Sequence, residues 1–207
     1  MSDKRVTIVD YDMGNVDSVA RAVKQCGGSP QVSRDERILR EASHIILPGV
    51  GAFRQGMNNL TNLGLKEILE DRVIGSGVPL LGICIGMQLL AKIGYEGGET
   101  EGLGFIDGNV EKLSKASTSE RIPHVGWNEI NFSKNSFLFE GLENKSDCYF
   151  VHSYHLTCHD SEDVVGTTPY CGGFVSVINR KNISGVQFHP EKSQEAGLKL
   201  LNNFLDL

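Results

Sequence analysis

Residues 78–91 read VPLLGICIGMQLLA, an apolar run followed by a cysteine between two glycines and then a helical pattern. This order predicts a buried strand, a tight turn and a helix. Gly82 and Gly86 lack the Cβ atoms that would clash where the chain reverses, so Cys84 is presented at the carboxyl end of the strand. A helix that begins directly after Cys84 points unpaired N–H groups and its positive dipole end at the sulfur, which favours the thiolate. The pattern is typical of a nucleophilic cysteine.

A candidate base lies far downstream, in the segment GVQFHPEKS at residues 185–193. His189 and Glu191 flank Pro190, which keeps the backbone extended, so the two side chains share one face. The imidazole can take the thiol proton and later protonate a leaving group, while the carboxylate fixes the tautomer of the ring. Cys84 considered alone also fits a small buried core residue, as many free cysteines do. Together the three residues provide a nucleophile, a base and an orienting acid.

The remaining periodicity predicts an α/β fold. The predicted elements before this stretch are a strand at Val6–Val9, a helix through Val16–Val23, a strand at His44–Leu47 and a helical pattern at about residues 53–74. After residue 103 the pattern changes to strands and hairpins, and a last helix has its apolar face at residues 198–205, with Ser193 placed to cap it. We therefore expect a single domain over residues 1–207, with a central, largely parallel sheet flanked by helices and a more antiparallel, strand-rich second half.

Composition narrows the class of protein. A chain of 207 residues with 40% hydrophobic and 22% charged residues is typical of a soluble globular domain. The five cysteines form no C-x-x-C pair, so neither a disulfide framework nor a zinc ribbon is indicated. The net charge of −6 argues against a nucleic-acid partner. Residues Met1–Arg5 carry no apolar signal region, and no apolar stretch is long enough to cross a bilayer. We expect a cytoplasmic protein with no membrane partner.

Five ordered motifs carry a resemblance to a known family. They are DYDMGN at 10–15, PGVGAF at 48–53, the GICIG turn at 82–86 with Gln88 four residues past its cysteine, PHVGWN at 123–128 and HPEKS at 189–193. Together they resemble the class I glutamine amidotransferases, whose glutaminase domains use a Cys-His-Glu triad. Within that family they are most similar to the glutaminase subunits of imidazole glycerol phosphate synthase, in histidine biosynthesis. The resemblance covers nearly the whole chain and implies the family's flavodoxin-like fold.

The resemblance implies a catalytic triad of Cys84, His189 and Glu191. Acyl transfer also needs at least two donors for the oxyanion, and the backbone N–H of Ile85 provides one. The second is expected from Val50 or Gly51, as the resemblance also implies, although PGVG by itself fits an ordinary turn.

The expected substrate contacts are Gln88, Glu96 and the backbone groups of Ser153 and Tyr154. Gln88, one helical turn past the cysteine, also fits a solvated helix residue. Glu96 is a candidate for the amino group of glutamine, but the sequence GYEGGE at 94–99 departs from the commoner family wording. All four assignments follow from the resemblance, not from spacing.

Three histidines near the middle of the second half suggest a metal cluster at first sight. They are His152, His155 and His159. On a strand spanning residues 149–158, His152 and His155 point to opposite faces, so we expect no metal site and no cofactor.

The implied reaction is hydrolysis of the side-chain amide of L-glutamine to glutamate and ammonia through a thioester on Cys84. Ammonia is protonated in neutral water and is then no nucleophile, so it has to be delivered directly to a second protein. By resemblance this is the (β/α)8-barrel cyclase subunit, bound as a heterodimer. That subunit converts a phosphoribulosyl-formimino aminoimidazole carboxamide nucleotide into imidazole glycerol phosphate and aminoimidazole carboxamide ribotide.

Asn15, Trp127 and Lys192 are the expected interface residues, although Trp127, the only tryptophan, equally fits core packing.

Three alternatives to this function stay open. The first is a related or second-copy glutaminase for another synthase, for example a sugar amidotransferase of surface polysaccharide synthesis, which the departure at residues 95–101 allows. The others are a free-standing cysteine hydrolase and an inactive regulatory relative.

Overall fold

The computed structural model describes residues 4–207. Residues 1–3 belong to the segment Met1–Arg5, which was expected to carry no signal region, and they lie outside the described residues. The strands are β1 Arg5–Val9, β2 Ser29–Ser33, β3 His44–Leu47, β4 Leu80–Ile83, β5 Ala91–Gly94, β6 Thr100–Glu101, β7 Ile106–Lys112, β8 His124–Glu129, β9 Asn131–Phe132, β10 Asp147–His152, β11 Tyr154–Cys158, β12 Val164–Thr168, β13 Phe174–Arg180 and β14 Ile183–Val186. The helices are α1 Val16–Gln25, α2 Glu36–Glu41, α3 Phe53–Asn62, α4 Leu65–Leu69, α5 Ile85–Leu89 and α6 Gln194–Leu205. A π-helical turn covers Glu70–Gly75, and 3-10 turns cover Phe137–Phe139, Ser161–Asp163 and Pro190–Lys192.

An eight-stranded sheet forms the centre of the molecule, in the order β2-β1-β3-β4-β14-β13-β12-β9. Neighbouring strands from β2 to β14 are parallel, and β13, β12 and β9 continue the sheet antiparallel. There are two smaller sheets: β10-β8 comes from the second half of the chain, whereas β11-β7-β5-β6 also contains β5 and β6 from before residue 103. The predicted fold class, a largely parallel sheet with an antiparallel second half, is confirmed.

The core occupies both faces of the central sheet because consecutive strand residues point to opposite sides. On one face, Ile45 and Leu80 are fully buried beneath α3 and α4. On the other, Ile46 and Leu81 are fully buried beneath α1 and α6. Each such side chain contributes about 1.5–3 kcal/mol by leaving water. Strands buried on both faces therefore read as continuous apolar runs, which is why they were visible in the sequence.

Three local expectations are corrected. The helical pattern at about residues 53–74 is interrupted at Gly64, whose φ of 66° ends the first helix and starts the second. The helix after Cys84 is only five residues long, since Ala91 already belongs to β5. Residues 149–158 are not one strand: Ser153 separates β10 from β11, and the two strands belong to different sheets.

Among residues 4–207, no helix combines the length and the apolar character needed to cross a membrane.

Candidate active site

Cys84 occupies a strained turn between β4 and α5. Its φ of 54° and ψ of −110° are unusual for a residue with a side chain, and its backbone N–H is held by the Val186 carbonyl at 2.8 Å. A Cβ at Gly82 would lie 2.7 Å from the Met87 nitrogen, and one at Gly86 would overlap the Leu47 carbonyl oxygen. The two glycines are therefore required by contacts within the turn. Because α5 has only five residues, its dipole is weaker than the sequence pattern implied.

His189 is brought to Cys84 by strand pairing. β14 runs parallel to β4 with Val186 opposite Ile83, so the chains leave both strands side by side. The His189 backbone N–H donates to the Tyr149 carbonyl at 2.9 Å, which fixes the residue against β10.

Ser193 completes this support, in a way that corrects one expectation. It occupies the N-cap position of α6, but its side chain makes no capping hydrogen bond. Its hydroxyl instead donates to the His189 carbonyl at 2.6 Å and accepts from the Tyr149 N–H at 3.0 Å. Ser193 therefore fastens the backbone of His189 instead of the end of the helix.

His189 and Glu191 form a buried pair. His189 Nδ1 lies 2.9 Å from Glu191 Oε1, and the two side chains are 3% and 1% exposed. Burial by itself lowers the pKa of His189, but Cys84 and Glu191 outweigh it and raise the pKa to about 9. His189 Nε2 has no hydrogen-bond partner within residues 4–207, so it remains available to a reacting group.

A cavity of about 300 Å³ opens in front of the Cys84 sulfur. Its walls contain every residue expected to contact the substrate or the oxyanion, together with three that were not expected: Val50, Gly51, Cys84, Ile85, Gln88, Glu96, Pro123, Val151, His152, Ser153 and Tyr154. Most of its lining is apolar with a few convergent polar groups, as is usual for small-molecule sites.

Gln88 is 1% exposed, so it is not a solvated helix residue. Its Nε2 donates to the Tyr154 carbonyl at 2.8 Å and to Gln187 Oε1 at 2.9 Å. Its Oε1 is buried and has no partner among the described residues, and Gln88 is one of the residues that line the cavity. Gln88 therefore offers an acceptor, and not a donor, to whatever binds there.

The loop of residues 48–52 contributes Val50 and Gly51 to the wall of the same cavity. Val50 is exposed, and Gly51 has a φ of 114° and packs against Met13. Glu96 connects this loop to the next wall, because its Oε2 accepts from the Phe53 N–H at 2.7 Å. Since the N-cap of α3, Ala52, has no capping side chain, Glu96 takes over that function from a distant part of the chain.

The three histidines do not converge. His152 Nδ1 donates to the Tyr154 carbonyl at 2.9 Å, and its Nε2 lies 3.1 Å from His124 Nδ1. Burial lowers the pKa of His152 to about 3 and that of His124 to about 4, so both rings are neutral at pH 7. His159 instead faces Asp107, 3.1 Å away. Within the part of the chain that the structure describes, no three or more His, Cys, Asp or Glu side chains are grouped as metal ligands.

The expected interface residues occupy two places. Trp127 is 48% exposed and packs edge-on against Tyr149, so it is not a core residue. Lys192 Nζ lies 5.9 Å from the centroid of the same Tyr149 ring. Asn15 caps α1 by accepting from the Ser18 N–H at 3.4 Å, a structural role that the resemblance did not indicate.

Sequence reasoning missed two buried polar residues beside Cys84. Gln187 is fully buried, and its Nε2 lies 3.7 Å from the Cys84 sulfur. Tyr11 is also fully buried with its hydroxyl unpaired among the described residues, and burial and Cys84 both raise its pKa. The one available signal was a polar residue inside an apolar run, since Gln187 stands between Val186 and Phe188.

Comparison with known proteins agrees with this geometry. A family model described as glutamine amidotransferase class-I matches residues 7–207. The Campylobacter jejuni (strain RM1221) protein named imidazole glycerol phosphate synthase subunit HisH 1 is 45% identical over 202 residues, which cover 98% of this chain and 100% of that protein. The Pelagibacter ubique protein named imidazole glycerol phosphate synthase subunit HisH is 43% identical over 206 residues, with 98% and 99% covered.

Solved structures share the fold at much lower identity. The structure of PurLQS from Thermotoga maritima matches with a TM-score of 0.76 at 19% identity, over 99% of this chain and 98% of that one. A crystal structure described as that of a glutamine amidotransferase matches with a TM-score of 0.75 at 18% identity, over 97% of this chain and 99% of that one. At such identities the likeness shows the fold alone.

Proposed function

The chain belongs to the class I glutamine amidotransferase family, and on that premise we propose that it is the glutaminase subunit of imidazole glycerol phosphate synthase, in histidine biosynthesis. It hydrolyses the side-chain amide of L-glutamine to glutamate and ammonia. The observation that carries the proposal is the buried His189–Glu191 pair beside Cys84, together with the cavity of small-molecule size that Cys84 lines.

The first half of the reaction forms a thioester. Cys84 gives its proton to His189, whose pKa is raised and whose ring is held by Glu191, and the resulting thiolate attacks the side-chain amide carbon of glutamine. The negative charge that develops on the amide oxygen is bound by the backbone N–H of Ile85 and by one from Val50 or Gly51. His189 then gives its proton to the amide nitrogen, the C–N bond breaks and ammonia leaves.

Water completes the cycle. His189 Nε2, which has no partner within residues 4–207, takes a proton from a water molecule that attacks the thioester carbon. Collapse of the second oxyanion releases glutamate and returns the proton to the sulfur of Cys84. Gln88, Glu96 and the backbone of residues 153–154 hold the substrate during both halves.

A partner has to receive the ammonia as NH3, and the surface around the cavity suits one. Val50 and Val151 line the cavity, Val125 pairs with Val151, and Trp127 packs on Tyr149; the aliphatic and indole side chains are 37–57% exposed. Exposed apolar groups concentrated at one site are typical of an interface. The partner is the (β/α)8-barrel cyclase subunit, bound as a heterodimer with Asn15, Trp127 and Lys192 at the contact.

The remaining assignments are proposed with this function. Residues 1–207 form one glutaminase domain that needs no cofactor or metal, and the protein acts in the cytoplasm, where its cysteines stay reduced.

The test is to measure glutamate release by the wild type and by Cys84→Ala, each with and without the cyclase subunit. We expect release that depends on Cys84 and rises strongly when the cyclase and its nucleotide ligand are added. Release that is equally fast without a partner would identify a free-standing hydrolase, and release independent of Cys84 would contradict the mechanism. A partner other than the cyclase that stimulates release more strongly would indicate another synthase.

A further inference from the structure

Gln187 is a buried polar residue that contacts the Cys84 sulfur and that the reaction has not yet used. It follows β14 directly and lies two residues before His189. Its side chain is fully buried between the sulfur and Gln88. A carboxamide removed from water is costly unless its hydrogen bonds are made, so its orientation is informative.

The orientation of both carboxamides follows from one backbone carbonyl. The Tyr154 oxygen can only accept, so the Gln88 atom 2.8 Å from it has to be Nε2. The second hydrogen of that nitrogen points at Gln187, 2.9 Å away, where only Oε1 can accept it. The remaining end of the Gln187 carboxamide is Nε2, and it faces the Cys84 sulfur at 3.7 Å. The hydrogen-bond network, rather than an arbitrary choice of amide flip, therefore points a donor at the sulfur.

The sheet holds this donor in position. The Gln187 backbone N–H donates to the Ser176 carbonyl at 2.9 Å, and the Cys84 N–H donates to the Val186 carbonyl at 2.8 Å. The two residues thus leave adjacent parallel strands at the same level. No rearrangement of a loop is needed to bring the amide to the sulfur.

We propose that Gln187 is a positioning residue that stabilises the Cys84 thiolate by an N–H···S hydrogen bond and fixes Gln88 so that only its carbonyl oxygen faces the substrate. The inference deepens the proposed function and rests on it. An N–H donor binds an anionic sulfur more strongly than a neutral one, so the contact favours the reactive form. An acceptor-only Gln88 favours a ligand that presents N–H groups there and disfavours a carboxylate oxygen at the same point.

Two substitutions separate these effects. Gln187→Met removes both the donor and the acceptor at similar length. Gln187→Glu keeps an acceptor for Gln88 but turns a carboxyl oxygen toward the sulfur. Thr168→Val is the matched control, because Thr168 is also fully buried, its hydroxyl has no partner among the described residues, and it lies on β12 outside the cavity.

The readout is alkylation of Cys84 by iodoacetamide between pH 5 and 10, followed on the Cys84 peptide by mass spectrometry. This measurement needs neither glutamine turnover nor a partner. We expect Gln187→Met to react about tenfold more slowly than wild type at neutral pH, as loss of a hydrogen bond to a charged group predicts, and Gln187→Glu more slowly still. Thr168→Val should follow the wild-type profile. Wild-type profiles in folded Gln187→Met and Gln187→Glu would overturn the proposal.

Turnover with the cyclase then tests the second effect. Gln187→Met should raise KM for glutamine, while Gln187→Glu should lower kcat with a smaller change in KM. Equal KM values in wild type and Gln187→Met would contradict the role in fixing Gln88. If no turnover occurs in the wild type, the proposed function fails, whereas the alkylation profiles still decide whether Gln187 stabilises the thiolate.

If the Gln187 variants fail to fold, a measurement on the unsubstituted protein still tests the proposal. The side-chain amide resonance of Gln187, observed by 1H–15N NMR, should move with pH as Cys84 ionises and should stay still in Cys84→Ala. A resonance that does not respond to pH in the wild type would refute the N–H···S contact.

Discussion

Replacing Gly86 by Ala tests whether the contacts of the turn, and not chain flexibility, require glycine there. Gly86 lies in α5 without a positive φ, so its backbone suits alanine, and helix propensity alone would favour the change by about 1 kcal/mol. Against this, the added Cβ would overlap the carbonyl oxygen of Leu47 and lie 2.8 Å from its carbon. The two effects have opposite signs, and their sizes decide the outcome.

The clash is the larger effect. Leu47 belongs to β3 in the middle of the central sheet and pairs with Gly82, so its carbonyl cannot move without disturbing the ladder on which the turn is built. Inserting atoms into a packed interior costs about 1–3 kcal/mol, and each backbone hydrogen bond lost adds about 1 kcal/mol. We expect a net loss of about 1–3 kcal/mol in the free energy of unfolding, which for a chain of this size lowers Tm by roughly 2–12 °C.

Thermal unfolding followed by circular dichroism measures the effect, and Gly75→Ala is the control. A Cβ at Gly75 would meet nothing closer than 3.7 Å, so this variant should be as stable as wild type or slightly more so. Gly86→Ala should also alkylate more slowly at Cys84, because the turn that presents the sulfur is displaced. A Gly86→Ala variant with the Tm of the wild type would refute the argument that packing against Leu47 requires glycine.

Three further predictions follow from the cavity and its surroundings. The pKa of His189 in the folded protein, about 9, lies above the usual value of 6.5, so the contribution of His189 to stability is complete below pH 6.5 and is lost as pH rises toward 9. Glu191→Gln should lower the pKa of His189, as measured by NMR titration of the ring. An unchanged titration would contradict the assigned pair. Gln88→Met should raise KM for glutamine about tenfold by removing the unpaired acceptor, while the alkylation profile of Cys84 shifts less than in Gln187→Met; an unchanged KM would exclude Gln88 from the substrate contacts. Trp127→Ala should reduce stimulation by the cyclase while Tm stays close to wild type, because the ring is 48% exposed; full stimulation at saturating partner would remove Trp127 from the interface.

Much of the fold and the candidate site was predictable because it depends on short stretches of sequence. Strands buried on both faces read as apolar runs, as at residues 44–47 and 80–83. The turn around Cys84 needs glycines at fixed positions, so its pattern survives without any knowledge of the neighbours. His189 and Glu191 do form a pair, but residues 190–192 make a 3-10 turn instead of the extended segment from which the pairing was predicted, so the geometric reason given for it was wrong.

The errors arose where a residue is controlled by a distant part of the chain. Ser193 looked like a helix cap because the rule is local, yet its hydroxyl is taken by His189 and Tyr149. The helix after Cys84 looked longer because its apolar residues continue, yet Ala91 pairs with Ile106 in another sheet. In both places a tertiary contact overrode a local preference of about 1 kcal/mol.

The sequence by itself determined the class of fold and pointed to Cys84 and His189 as the candidate nucleophile and base, since each is encoded by the order of a few adjacent residues. Only the tertiary structure decided which atoms surround the sulfur. The alignment of β4 with β14 places Gln187 against Cys84, and a carbonyl on β11, that of Tyr154, fixes which end of each carboxamide faces it. Hydrogen bonds between residues 66 to 103 positions apart have no signature in local periodicity, because their geometry is set by strand register and packing.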